Sequence, residues 1–463
     1  MTRDQIGAII ERGPCDWQIL QQDQAGMASF QLVGYWVGEA GGQVQVRLVL
    51  EATGQPVRQH LDWQSVTTAA DGTWRGELSQ IPAGGLYRLE TRYNPKGNLA
   101  GEWSARGDLR HFIGVGDLWL IAGQSNSAGY GKGPVYDPLD LGVHILGNNE
   151  RWALASHPLN DSTDTQHLVN REAANSAHSP YLHFGRLLKQ QLGFPIGLIQ
   201  TALGGSALAP WNPTETHSAV LYHNMLDCVR LAGGHIKGIL WYQGESDATS
   251  ALAPTYADRF CMAVQAWREG LSASELPIIT VQLNRVYSPT SDDLELGWSL
   301  LREAQRQVVT RLSAVTVVPS LDLPLGDLIH TSAQGNMLLA ERMAQAALGA
   351  VYGRPVAFRA PDIRSAQYQP DNTSIILAFA PVTSRMDNPD LTSCCFAVRD
   401  AQGIVPVRQV AYPGNDTICL ALVRSLQGTA FVDGAPGLNP PPVPMDMERF
   451  MPMLAFYGVP VNI

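Results

Sequence analysis

Three short stretches far apart in the chain carry the residue types of acyl-transfer chemistry: Gly123-Gln124-Ser125-Asn126-Ser127-Ala128-Gly129, Gln243-Gly244-Glu245-Ser246-Asp247 and Asp327-Leu328-Ile329-His330. A serine hydroxyl is a weak nucleophile until a base within hydrogen-bond reach takes its proton, and that base needs a third group to hold it. Asp327 and His330 lie three residues apart. In a turn entering a helix, this spacing lets the carboxylate meet one imidazole nitrogen while the other faces outward. Ser125 follows an apolar run and is flanked by small residues, so it can stand exposed. The stretch is not a G-x-S-x-G elbow, because Ser127 occupies the second glycine position. A fourth stretch, Ala202-Leu203-Gly204-Gly205-Ser206, offers backbone N–H groups. The Ser125 N–H, an N–H of Gly204 or Gly205 and the Gln243 amide would make three donors for an oxyanion. Thr331 followed by Gln334 reads as a capping box that opens a helix behind His330. Asp322 is an alternative partner for that histidine.

These stretches follow apolar, β-rich runs. Asp117–Ala122, Ile196–Thr201, Ile236–Gln243, Ile278–Leu283 and Val315–Ser320 alternate with helix-like segments around Tyr181–Leu192, Ala219–Ala232, Tyr256–Gly270, Ser299–Leu312 and Gln334–Gly349. Continuous apolar strands alternating with helices predict a doubly wound α/β domain with a parallel sheet covered on both faces. Its chemistry belongs beyond the carboxyl ends of the strands. Residues 1–113 read instead as short strands without helical period, a β-sandwich. Residues 354–463 read as a second, smaller β domain, with strands at Ser374–Ala380, Cys395–Val398, Ile404–Val410 and Thr417–Val423. Its loop Gly434–Pro444 is too rich in proline for regular structure. The α/β domain spans residues 114–353.

The composition excludes several classes. Of 463 residues, 16% are charged and 45% hydrophobic, which is not the profile of a disordered chain. A net charge of −10 argues against nucleic acid as a partner. Lys96, Lys132, Lys189 and Lys237, the four lysines, are scattered, so no polybasic membrane patch forms. No apolar run approaches the ~20 residues of a membrane span. Met1 to Gly13 lacks the apolar stretch of a secretory signal, and the expectation is a cytoplasmic protein. The six cysteines show no C-x-x-C, and neighbouring Cys394 and Cys395 read as thiols on opposite faces of a strand. His144, His157, His178 and His183 show no metal-ligand spacing.

Together, Gly123-Gln124-Ser125-Asn126, Leu203-Gly204-Gly205-Ser206 with Trp211, Trp241 to Asp247 and Asp327 to His330 resemble the SGNH hydrolase superfamily. The sequence is more closely similar to the sialate O-acetylesterase and carbohydrate acetylesterase branch, over roughly residues 114–350. The resemblance implies a flavodoxin-like domain with a five-stranded parallel sheet, flanked by β-sandwich-like modules. It implies Ser125 as nucleophile, His330 as general base and Asp327 as its orienter. The oxyanion hole would hold Ser125, Gly204 or Gly205, and Gln243, which stands where the superfamily usually has asparagine. Ser127 departs from the methionine common in this branch. The activity implied is removal of O-acetyl groups from sugars, of sialic acid or plant-polysaccharide type, without metal or cofactor. Trp211 and Tyr130 are candidate sugar platforms, and Glu245 would contact substrate or, with Asp247, brace its loop. Arg285, beside Asn284 at the cleft rim, would pair with the carboxylate of an acidic sugar. Two other readings stay open: an esterase of small or lipid-like acyl esters, and a non-catalytic glycan-binding protein.

Overall fold

Apolar runs buried on both faces set the centre of the molecule. In the computed structural model, which describes residues 6–39, 41–96, 104–173, 176–289, 291–371, 373–388, 390 and 393–462, they form one parallel sheet. Its strands are β1 (Ala105–Gly123), β2 (Val143–Leu146), β4 (Ile196–Gln200), β5 (Gly238–Tyr242), β6 (Ile278–Gln282) and β7 (Val315–Pro319), with β3 (Trp152–Leu154) antiparallel at one edge. The order is β3-β2-β4-β1-β5-β6-β7. The expected five-stranded sheet is therefore incomplete: Val143–Leu146 adds a sixth parallel strand. Four residues with a histidine among them give little sequence signal. That His144 is fully buried, with Nδ1 2.6 Å from the Trp17 carbonyl, and burial pushes its pKa down to about 4.

Helices follow the strands: α1 (Ser125–Ala128), α2 (Tyr181–Leu192), α3 (Val220–Leu231), α4 (Tyr256–Gly270), α5 (Asp292–Arg311) and α6 (Ala333–Ala346). Ser291 caps α5 by accepting the Leu294 N–H, with Asp292, Asp293 and Glu295 in the first turn favoured by the helix dipole. The cap of α6 is Ser332, whose hydroxyl accepts the Gly335 N–H at 3.1 Å. The Thr331–Gln334 capping box is thus corrected by one residue. Thr331 Oγ1 instead accepts a bond from the Asn284 amide beneath the loop.

The flanking units are built of β-strands, with one short 3-10 turn at Gln59–Leu61. Near the N-terminus, a sheet of Gly7–Arg12, Met27–Val37, Thr73–Pro82 and Thr67–Thr68 faces a second that pairs Gln43–Leu50, Gly84–Asn94 and the first half of β1. Ile10, Leu32 and Trp74 from one sheet and Val46, Leu89 and Ile113 from the other share one core. β1 runs without a break from this sandwich into the central sheet, so the junction expected at residues 113/114 falls inside a single strand. Its burial changes there, from mixed to complete. Gly116 permits the passage: a Cβ on it would lie 1.8 Å from the Pro195 carbonyl oxygen.

Beyond residue 361, eight strands in one sheet wrap a single core that includes Leu377, Val398, Leu420, Val432 and Phe456. The strand expected at Ile404–Val410 divides into Gly403–Val405 and Val407–Ala411, because Pro406 has no N–H to give the ladder. Arg302 on α5 fastens this unit to the central one. Fully buried, it donates to the carbonyls of Leu283, Asn284, Gly437 and Leu438. Desolvation pushes its pKa down to about 9. Among the described residues, no helix is long and apolar enough to cross a membrane.

Candidate active site

At the carboxyl end of β1 the chain must turn against β5. Gly123 (φ 123°) allows it: a Cβ there would sit 2.2 Å from the Tyr242 carbonyl oxygen, and the Gln124 N–H donates to that oxygen. Ser125 then opens α1, half-buried. Neither its hydroxyl nor its N–H has a hydrogen-bond partner among the described residues, as a first helical residue's N–H has no intrahelical acceptor. Ser127 is the opposite. It is fully buried, its hydroxyl 2.8 Å from the Ala122 carbonyl and 2.6 Å from the Tyr181 hydroxyl.

Asp327 and His330 meet as their spacing suggested. Nδ1 of His330 lies 2.9 and 3.1 Å from the two carboxylate oxygens, which leaves Nε2 for another partner. Asp327 also accepts the N–H groups of Ile329 and His330, and Lys132 Nζ stands 3.1 Å away. Burial raises the affinity of Asp327 for a proton, but these donors more than reverse it and hold the carboxyl well below its usual range. Asp322 is not a competitor, because Arg342 takes both its oxygens.

Asn126 ties the turn that carries Ser125 to the loop that carries His330. Its Oδ1 accepts the Thr331 N–H at 2.9 Å and its Nδ2 faces the Ile329 carbonyl at 3.4 Å, so it grips the backbone on both sides of His330. The Tyr130 ring stacks on the imidazole with centroids 5.1 Å apart. Its hydroxyl donates to Glu172, whose other oxygen accepts the Gly204 N–H at 2.6 Å and an Asn160 amide hydrogen at 3.0 Å. The Gly204 N–H is therefore already spent. Gly205 has no N–H acceptor among the described residues and open space around its Cα. Sequence reasoning missed Glu172, Asn160 and Lys132 as neighbours of the site, since each comes from an irregular loop.

Other expected site residues are placed differently. Gln243 is fully buried. Its two amide hydrogens face Asp247 Oδ2 (2.7 Å), Gln124 Oε1 (3.2 Å) and the Ser206 carbonyl (3.3 Å), and its Oε1 accepts from the Tyr256 hydroxyl. With its donors spent below the site, Gln243 is corrected from oxyanion donor to brace. Asp247 binds Arg259 and the Leu208 N–H, also as a brace. Trp211 is no sugar platform: it is fully buried, edge-on to Trp241, with Nε1 donating to Ser206. Tyr130 is spoken for by His330. Asn284 is buried under the loop, not at the rim, and Arg285 reaches the Leu323 carbonyl at 3.4 Å. Glu245 takes the Asn126 amide on Oε1 at 2.6 Å and leaves Oε2 buried without a partner. Burial pushes its carboxyl above the usual range, against the opposing pull of Asn126 and His330.

One group of possible metal ligands also forms that the sequence did not reveal. Asp137, His157 and His178 bring their donor atoms within 4.8 Å of one another. Arg186 already holds the second oxygen of Asp137 at 2.8 Å, so the carboxylate's charge is met by protein cations and imidazoles.

An unengaged serine hydroxyl, a carboxylate-held imidazole and free N–H groups at the carboxyl edge of a doubly wound sheet define a hydrolase of carboxylic esters. The model of the family described as carbohydrate esterase, sialic acid-specific acetylesterase, matches residues 115–349. The chain belongs to that family, and it is a carbohydrate O-acetylesterase. It is 28% identical over 264 residues to a probable carbohydrate esterase of Arabidopsis thaliana, covering 52% of this chain and 94% of that one. With the sialate O-acetylesterase of Homo sapiens the identity is 25% over 229 residues, covering 40% of this chain and 42% of the human one. A solved carbohydrate acetylesterase from Xanthomonas citri shares the fold with a TM-score of 0.63 and 21% identity, over 97% of this chain and 96% of its own.

Proposed function

We propose that the chain removes O-acetyl groups from sugars through an acetyl-serine intermediate formed on Ser125. His330 Nε2 takes the Ser125 proton as the oxygen attacks the acetyl carbonyl. Asp327, on Nδ1, fixes the tautomer and stabilises the imidazolium. The carbonyl oxygen gathers charge and meets the N–H groups of Ser125 and Gly205. His330 returns the proton to the departing sugar hydroxyl. Water then follows the same route to release acetate and free Ser125. Tyr130 holds the imidazole plane, and because burial and the nearby Glu172 carboxylate push its phenol above the usual range, it stays a neutral donor.

What supports this reading is that Asn126, next to the partnerless Ser125, bonds the backbone on both sides of His330, whose Nδ1 is held by Asp327. Acetate release from acetylated sugars tests it. The expected result is that mass spectrometry of the acid-quenched wild type shows an acetyl adduct on the Ser125 peptide, and that Ser125→Ala abolishes both the adduct and acetate release. Full activity in Ser125→Ala, with loss in Ser127→Ala, overturns the assignment.

A further inference from the structure

A groove of about 640 Å³ opens beside the catalytic loop where three segments meet. The chain after β6, the loop carrying Asp327 and the proline-rich loop of the C-terminal unit are stitched by backbone bonds: Tyr287 N–H to the Leu328 carbonyl at 2.8 Å, and Val286 N–H to the Leu438 carbonyl at 3.0 Å. This volume falls within the ~300–1,000 Å³ of small-ligand sites. Leu328, on its wall, is one residue from Asp327 and two from His330. The far wall is tied to α5, because Arg302 donates to the carbonyls of Gly437 and Leu438.

We propose that this groove is a subsite for a neutral sugar unit of a glycan chain, next to the unit that carries the acetyl group. The inference rests on the acetyl-sugar esterase reading and extends it to the substrate's length and charge. Apolar surface here is supplied by Leu328, 66% exposed, by Pro441, and by Tyr287, which is 51% exposed. An open aromatic face of this kind stacks on the C–H face of a pyranose. The Tyr287 hydroxyl, the Ser288 hydroxyl and the Asn439 amide border it, and none has a hydrogen-bond partner among the described residues, so they are available to sugar hydroxyls. No lysine, arginine or histidine lines the groove among the described residues, and its one carboxylate, Glu295, accepts the Leu438 N–H. An anionic sugar would meet a carboxylate and no countercharge, whereas a neutral one loses nothing. Of the platforms expected from the sequence, Trp211 is fully buried and Tyr130 is half-buried with one face on His330; Tyr287 is open.

The test compares the wild-type chain with Tyr287→Ala and Tyr287→Trp on p-nitrophenyl acetate, an acetylated neutral monosaccharide and longer acetylated oligosaccharides of the same sugar. The wild-type KM falls as the chain lengthens. Tyr287→Ala raises KM for the oligosaccharides by up to ~10-fold, the worth of one aromatic stacking contact. It leaves p-nitrophenyl acetate and the monosaccharide unchanged, and Tyr287→Trp restores the oligosaccharide KM. A wild-type KM independent of chain length, or a length dependence that survives Tyr287→Ala, overturns the subsite while the esterase reading stands. Turnover of p-nitrophenyl acetate with no release from any sugar overturns both.

Discussion

Two polar loops stand at the carboxyl edge of the same sheet, one after β5 and one after β7, and they spend their hydrogen bonds in opposite ways. After β5, Gln243 and Asp247 are buried and engaged with each other, with Arg259 and with the Leu208 N–H. Gln124 joins them, its amide oxygen facing Gln243, the Gly244 N–H and the Ser246 N–H at 3.2–3.3 Å. After β7, Asp327 is held no less firmly, yet among the described residues the imidazole on it keeps Nε2 unused. Ser125 likewise keeps its hydroxyl without a partner among the described residues. Chemistry needs capacity left over. The first loop builds a rigid wall, and the second presents a base against it.

The largest effect that would break this comparison is on turnover. Ser125→Ala should lower kcat by ~10⁴–10⁶-fold with an unchanged melting temperature, as loss of a nucleophile does elsewhere. Asp247→Ala should do the reverse. It leaves Arg259 with a lost partner and the Leu208 N–H unpaired, and should cost ~3–5 kcal/mol in urea unfolding. A stable Asp247→Ala that has lost kcat would move Asp247 into the chemistry. Gln243→Leu should cost about 2 kcal/mol of stability, with kcat of the folded fraction within about tenfold of wild type. A fall of ~10²–10³ in kcat at unchanged stability would return Gln243 to the oxyanion hole. Ser127→Ala, which strips a partner from the buried Tyr181 hydroxyl, should cost ~1–2 kcal/mol and leave kcat alone.

The same contrast explains what the sequence could tell. The strands after which Ser125, Gly205, Gln243 and His330 stand were legible, because strands buried on both faces read as apolar runs. Asp327 and His330 were legible because their contact is local, three residues along one turn. Val143–Leu146 was not, being four residues long with a histidine inside. The partners of Gln243, Trp211 and Gly204 were hidden for another reason. Most lie far away in sequence, such as Gln124, 119 residues from Gln243, Glu172, 32 from Gly204, and Trp267, 56 from Trp211. Residue type announces that a group can donate a hydrogen bond, and only the fold decides to whom. Tyr287 was overlooked since its value lies in being left uncovered, which no local pattern encodes.

The smallest effect separates two carboxyls near His330. Asp327 is held below its ordinary 3.8 and Glu245 above its ordinary 4.5, so their contributions to stability run oppositely with pH. The folded state binds fewer protons than the unfolded one at Asp327, so its stabilisation is present above pH 3.8 and fades as the pH falls below it. Asp327→Asn should therefore be less stable than wild type at neutral pH, with the gap closing in acid. At Glu245 the folded state binds more protons, because an ionised carboxylate would leave Oε2 charged, buried and without a donor. Stability then declines as pH rises above 4.5, and Glu245→Gln, which cannot ionise, should gain on wild type between there and neutrality. Melting curves of both variants across that range decide the matter. A Glu245→Gln difference that stays flat with pH would mean Glu245 is ionised in the folded protein. It would then share with Asp327 the work of holding a positive charge on His330, and the wall after β5 would be part of the machinery it faces.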